Sequence, residues 1–266
     1  MNDEPSKTDA ISEKGSLYRT IIRSTSDTSE DGLEKIIFEH MLARGWIAGD
    51  YHDYDRDACV DLVKLTAFLE ATQPEIAVEL QLQTDGPTRR SFLARLEKEI
   101  ASRGVIDVLR LGVKHQKHSI DLFYGTPTPG NETALAKYAE NRFSITRQLH
   151  YSNDESKLSL DLAIFINGLP VATFELKNSL TKQSVDDAIK QYCNDRDPRE
   201  RLFAFGRCMV HFAVDDAQVI MCTHLKGKNR GSSLSIAVTM MVRATHPIRL
   251  DSRPITCGGK RLLRRV

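Results

Sequence analysis

The chain has 266 residues, 41% of them hydrophobic and 27% charged, enough for one sizeable globular domain with appendages. A formal net charge of +1 at pH 7 excludes a globally basic nucleic-acid binder, so any grip on a polyanion must come from local patches. Cys59, Cys193, Cys208, Cys222 and Cys257 make no Cys-x-x-Cys pair and no metal-type spacing with histidines, which argues for reduced thiols in a cytoplasmic setting and against a structural zinc.

Residues 1 to 28 are rich in Ser, Thr, Asp and Glu, without an apolar export signal, and read as a flexible leader. No window of the chain approaches about eighteen apolar residues, so a membrane span is not expected. In TSEDGLEKIIFEHMLARGW, Thr28 and Ser29 precede a stripe of Leu33, Ile36, Ile37, Met41 and Leu42; a helix is expected there, ended by Gly45. VDLVKLTAFLEAT and SFLARLEKEIASRG carry helical spacing, and QTDGPTRR between them reads as a turn; a phosphate-facing loop fits it too, but a solvated surface is the expected place of Arg89 and Arg90. HSIDLFYG and SITRQLHYS read as strands, with the short helix NETALAKYAENRF between them. His115, His118 and His211 have no spacing partners that would make them metal ligands.

The most informative segment is LSLDLAIFINGLPVATFELKNS, residues 158–179. Two β-rich runs flank Asn167-Gly168, a strong hairpin signal. With a two-residue loop, Asp161 would face Phe174 and Glu175 would lie on the other face. With a three-residue loop and a bulge at Gly168, Asp161 faces Glu175, and Lys177 shares their side of the sheet. Two carboxylates paired across a sheet repel unless a cation lies between them. Hard oxygen ligands of this kind suit Mg²⁺, with room for water and phosphate. A lysine about 7 Å further along the strand could orient or deprotonate a water, or neutralise charge on a transition state. A plain ion-pair cluster, with Lys177 neutralising Glu175, fits the same three residues.

Beyond the hairpin lies SVDDAIKQYCND, read as a helix. A strand with Asp, a tight hairpin, a strand ending in Glu-x-Lys and then a helix resembles the PD-(D/E)xK nuclease superfamily. The wider string FSITRQLHYS, LDLAIFINGLPVATFELKNS and DAIKQY resembles the N-terminal nuclease domain of the type I restriction enzyme R subunit. The resemblance implies an α/β fold, a mixed central sheet flanked by helices, over residues 29–230. It implies Mg²⁺ held by Asp161 and Glu175, Lys177 as third catalytic residue, and an additional acidic residue from the first helix, for which Glu34 is better placed than Glu39. Gln191 matches the glutamine of a DNA-positioning Gln-x-x-x-Tyr motif, but Asp195 stands at the tyrosine position, and Tyr192 is expected to point elsewhere. Double-stranded DNA and the methylation and specificity subunits of a type I complex are the implied partners. RCMVHFAVDDAQVIMCTHL reads as two strands about an acidic turn at Asp215 and Asp216.

Residues 231–266 carry seven Lys or Arg and one acidic residue, Asp251, and read as a basic, poorly ordered tail outside the domain. The codons of Met240 and Met241 are fixed as ATG, and reading one base earlier forces Asp then Gly; permitted codons around them give a string like the FNRGYDDGAGNPPN that follows this position in type I R subunits. A basic tail that grips phosphates, an amphipathic surface segment and an out-of-frame tail on a truncated parent all fit these residues, and the codon overlap points to the last. The parent's ATP-driven motor would need a phosphate-cradling loop, and CGGKRLL lacks the glycine spacing and the Ser or Thr of one; ATP belongs to the full-length parent and has no site in this chain.

Overall fold

A computed structural model describes residues 30–153, 158–178, 183–192, 196–197, 200–215 and 218–225, with strand segments at 234–236, 238–243 and 255–257. The leader, Asp195 and Asp216 lie outside the described residues.

The expected first helix, α1, runs Glu30–Leu42, and the chain turns out of it through Gly45 at φ 88°. Strands β1 (Ile47–Gly49), β2 (Tyr54–Asp55) and β3 (Val60–Asp61) lead to α2 (Leu62–Thr72), whose N-terminus is capped by the Asp61 side chain. Three more helices follow: α3 (Pro74–Leu80), α4 (Pro87–Arg103) and α5 (Val105–Leu111). The sequence reading lacked α3 and α5. Each has only seven residues, too few turns for a helical period to stand out. Arg89 and Arg90 at the start of α4 pair with Asp85 at 2.8 and 2.9 Å. The strand expected over HSIDLFYG shortens to β5 (His118–Ile120), paired with β4 (Val113–His115). Helix α6 (Glu132–Ala139) then precedes β6 (Phe143–His150), β7 (Ser159–Ile166), β8 (Leu169–Leu176), α7 (Val185–Lys190), β9 (Val210–Val214) and β10 (Gln218–Cys222).

One seven-stranded mixed sheet organises these elements, in the order β1, β6, β7, β8, β9, β10, β12. β12 is Val238–Arg243. The β1/β6 and β8/β9 pairs are parallel and the rest antiparallel. A parallel β8/β9 pair cannot be joined by a tight turn; α7 lies in that crossover. Within residues 231–266, β12 pairs antiparallel with β10, and β11 (Leu234–Ile236) pairs with β13 (Ile255–Cys257). Val238, Thr239 and Val242 are β-branched, strand-favouring residues in a segment that extends an open edge.

Two cores cover the two faces of this sheet. On one, α1 lays Leu33, Ile37, Phe38 and Met41 against Ile145, Leu162, Leu176 and Val214. On the other, α7 residues Val185, Ala188 and Ile189 pack with Tyr151, Phe165 and Phe203. A third core, built by α2 to α5 with Leu169 and Val171, closes over the turn end of the β7/β8 hairpin.

Candidate active site

The hairpin combines parts of both expected registers. Its loop has two residues, with Ile166 opposite Leu169 and with Asn167 and Gly168 at φ 51° and 81°, the left-handed pair that a tight hairpin turn demands. A bulge then intervenes: Phe165 faces Pro170, but Ile164 faces Ala172. Pro170 has no N–H for the ladder, which is why a proline within a central strand belongs at a bulge. The extra residue shifts the ladder so that Leu162 faces Phe174, and continuing it brings Asp161 opposite Glu175. The expectation of a bulge at Gly168 is thus corrected: the bulge is at Pro170 and Val171, and it produces the carboxylate-facing register.

The turn cannot slip, because it is buried. Asn167 is 0% exposed and spends its side chain on Arg142 N, Leu122 O and Asn141 Oδ1. A Cβ on Gly168 would lie 2.3 Å from the Asp61 carbonyl oxygen and 2.8 Å from Leu65.

At the far end of β8, Glu175 is 0% exposed. Its Oε1 accepts from Arg196 Nε at 2.8 Å and forms an ion pair with Nη2 at 2.5 Å. Among the described residues its Oε2, also buried, has no hydrogen-bond partner. Burial pushes the Glu175 carboxyl up to about 8; Arg196 pulls the other way, the Asp161 charge adds to the rise, and the Lys177 charge opposes it. Arg196 was not among the residues singled out from the sequence, where it lies in an ordinary charged run, DRDPRER. Only the fold brings it under the sheet.

Asp161 is partly buried, and its Oδ2 accepts from the Leu176 backbone N–H at 2.6 Å. Lys177 is buried, and its backbone N–H donates to Val214 O at 2.8 Å. Glu34 on α1 is buried and is bonded by Arg147 Nε and by Gln148 Nε2, the latter at 2.6 Å. Gln148 takes φ 47° on β6 and accepts from Ser159 Oγ at 2.9 Å, so the RQL triplet links α1 to the start of β7. Glu39 instead lies on the surface near Lys35.

Gln191 closes α7, partly buried, in a π-type turn with Tyr192. Tyr192 points inward: it is 4% exposed, and its hydroxyl meets Thr173 Oγ1 at 2.9 Å. Thr173 Oγ1 also meets His211 Nδ1 at 2.7 Å. Thr173, Glu175 and Lys177 alternate on one face of β8, so this triad and the carboxylate share that face. The signal missed was the fold-imposed burial of the helix end, which a wheel drawn on α7 alone lacks. Asp215 closes a turn through Gln218 N and receives Val185 N at the start of α7, the acidic-turn role. His118 pairs with Glu79, and His115 is buried beside Phe92.

Does this arrangement suit a divalent cation? Among the described residues no group of three or more His, Cys, Asp or Glu gathers for one. The bare, buried Oε2 of Glu175, with Asp161 adjoining, nevertheless fits a hard cation held by two carboxylates and water, which is the Mg²⁺ habit.

A mixed sheet flanked by helices, with an acidic hairpin ending in Glu-x-Lys, defines a nuclease-like α/β domain. The family model for the type I restriction enzyme R protein N terminus matches residues 27–230. The chain belongs to that family, an endonuclease family of restriction systems that typically uses Mg²⁺. No curated protein matches the chain. Among the described residues no helix is long and apolar enough to cross a membrane.

Proposed function

We propose that the chain is a Mg²⁺-dependent endonuclease domain of a type I restriction R subunit, hydrolysing phosphodiesters of double-stranded DNA and acting with methylation and specificity subunits. The observation that carries this reading is the buried face of the bulged hairpin, where Asp161 adjoins Glu175, Glu175 Oε2 is bare, and Lys177 follows two residues on. In this reading Asp161 and Glu175 hold the metal, Lys177 orients or deprotonates the attacking water or neutralises charge on the phosphorane-like state, and Gln191 helps place the DNA; Glu34, the additional acidic candidate, has its carboxylate held by Arg147 and Gln148 on the α1 side of the sheet. When bound, Mg²⁺ supplies Lewis-acid polarisation of the phosphate and a more acidic water.

Lys177→Ala should lower nicking of supercoiled plasmid by about 10²-fold or more while the circular dichroism spectrum stays unchanged. Cleavage at wild-type rate by that variant refutes the role. A second reading, a non-cutting relic that binds DNA or a partner, is favoured by Arg196, which already supplies a cation to Glu175. Calorimetric Mg²⁺ or Mn²⁺ binding that disappears in Glu175→Ala excludes the relic; absence of binding in the wild-type chain supports it.

A further inference from the structure

The guanidinium of Arg196 is fastened on every side. Besides its hydrogen bond from Nε and its ion-pair contact from Nη2 to Glu175 Oε1, it donates from Nη2 to the Ser159 carbonyl oxygen at 2.6 Å and from Nη1 to the Tyr151 hydroxyl at 3.2 Å. Its centre lies 5.4 Å from the Tyr151 ring centroid, and the residue is 4% exposed. One side chain thus ties the region after β6, the start of β7 and the end of β8. A lysine could reproduce the charge but not this planar fork.

The two nitrogens on Glu175 converge on the same oxygen, although a guanidinium commonly spreads over both oxygens of a carboxylate. Oε1 is therefore occupied and Oε2 left bare. We propose that Arg196 is a positioning residue that makes Glu175 a one-oxygen ligand and thereby selects small octahedral cations over Ca²⁺. This rests on the metal-site reading given above. Mg²⁺ and Mn²⁺ accept single carboxylate oxygens in a tight octahedron, whereas Ca²⁺ draws readily on both oxygens and on more ligands. With Oε1 fastened, Glu175 cannot turn to offer a bidentate edge. Asp161 Oδ2 accepts the Leu176 backbone N–H.

Calorimetric titration of the full chain with Mn²⁺ and with Ca²⁺ tests this, reading the ratio of the two dissociation constants. The wild type should prefer Mn²⁺. Arg196→Lys should narrow the preference by about tenfold, the usual scale for loss of a group that orients a ligand, chiefly by strengthening Ca²⁺ binding. Tyr151→Phe, which removes one fastening and keeps the ion pair, should narrow it less; it carries the test if the lysine variant fails to fold. A parallel weakening of both ions, or an unchanged ratio in folded variants, overturns the positioning role and leaves the metal site standing. No Mn²⁺ binding by the wild type overturns both.

Discussion

The two faces of β8 are both largely buried and chemically opposite. Phe174 and Leu176 point into an apolar layer under α1, while Thr173, Glu175 and Lys177 line the other side. Burying hydrocarbon is favourable on its own account. A buried charge persists only where the fold supplies partners. The difference teaches where specificity resides: the apolar face accepts apolar side chains of the right volume, whereas the polar face is a set of interdependent bonds reaching β6, β7, α7 and the chain beyond it.

Breaking the ion pair should give the largest effect. Arg196→Met strands the Glu175 carboxylate and should cost about 3–5 kcal/mol in urea unfolding, whereas adding Glu175→Leu should recover much of that loss. Simple additivity of the two changes would show that the faces do not differ in this way. On the apolar side, Leu176→Ala should cost about 3 kcal/mol through an unfilled cavity without altering Mn²⁺ affinity; a changed affinity would mean the faces are coupled through the strand.

The polar face should also register pH. Burial brings the His211 imidazole down to about 4, against about 6.5 when unfolded. The unfolded chain therefore binds the proton first, and His211 contributes stability above about pH 6.5 that is lost as pH falls toward 4. Between pH 6.5 and 5 the difference in unfolding free energy between wild type and His211→Gln should shift by about 2 kcal/mol; a flat difference would show that His211 is not held neutral. Smallest is Thr173→Val, which leaves the Tyr192 hydroxyl and His211 Nδ1 without their shared partner and should cost about 1–2 kcal/mol in thermal unfolding. No change there would mean the triad adds nothing beyond packing.

Much of this hairpin can be read without coordinates. Asn167-Gly168 announces the turn, and the run Leu169 to Leu176 announces a strand buried on both faces. The bulge was legible only in part, because Pro170 signals an interrupted ladder without saying on which side of the turn the extra residue falls. Helices α3 and α5 escaped because each is seven residues long and held by its neighbours more than by its own period. Arg196 and Tyr192 escaped for another reason. Their partners, Glu175 and Thr173, are 21 and 19 residues away, and no local pattern encodes a contact at that separation.

Local chemistry thus determined the longer elements and the identity of the acidic hairpin, since turn preference, β-propensity and hydrophobic period act over a few residues. Tertiary structure decided which carboxylate oxygen is bare, which cation faces it, that Glu34 lies under the RQL triplet, and that part of the basic tail lies along β10. Those outcomes depend on burial, which removes water as the alternative partner and forces each polar atom to find another; no stretch of sequence carries that condition by itself.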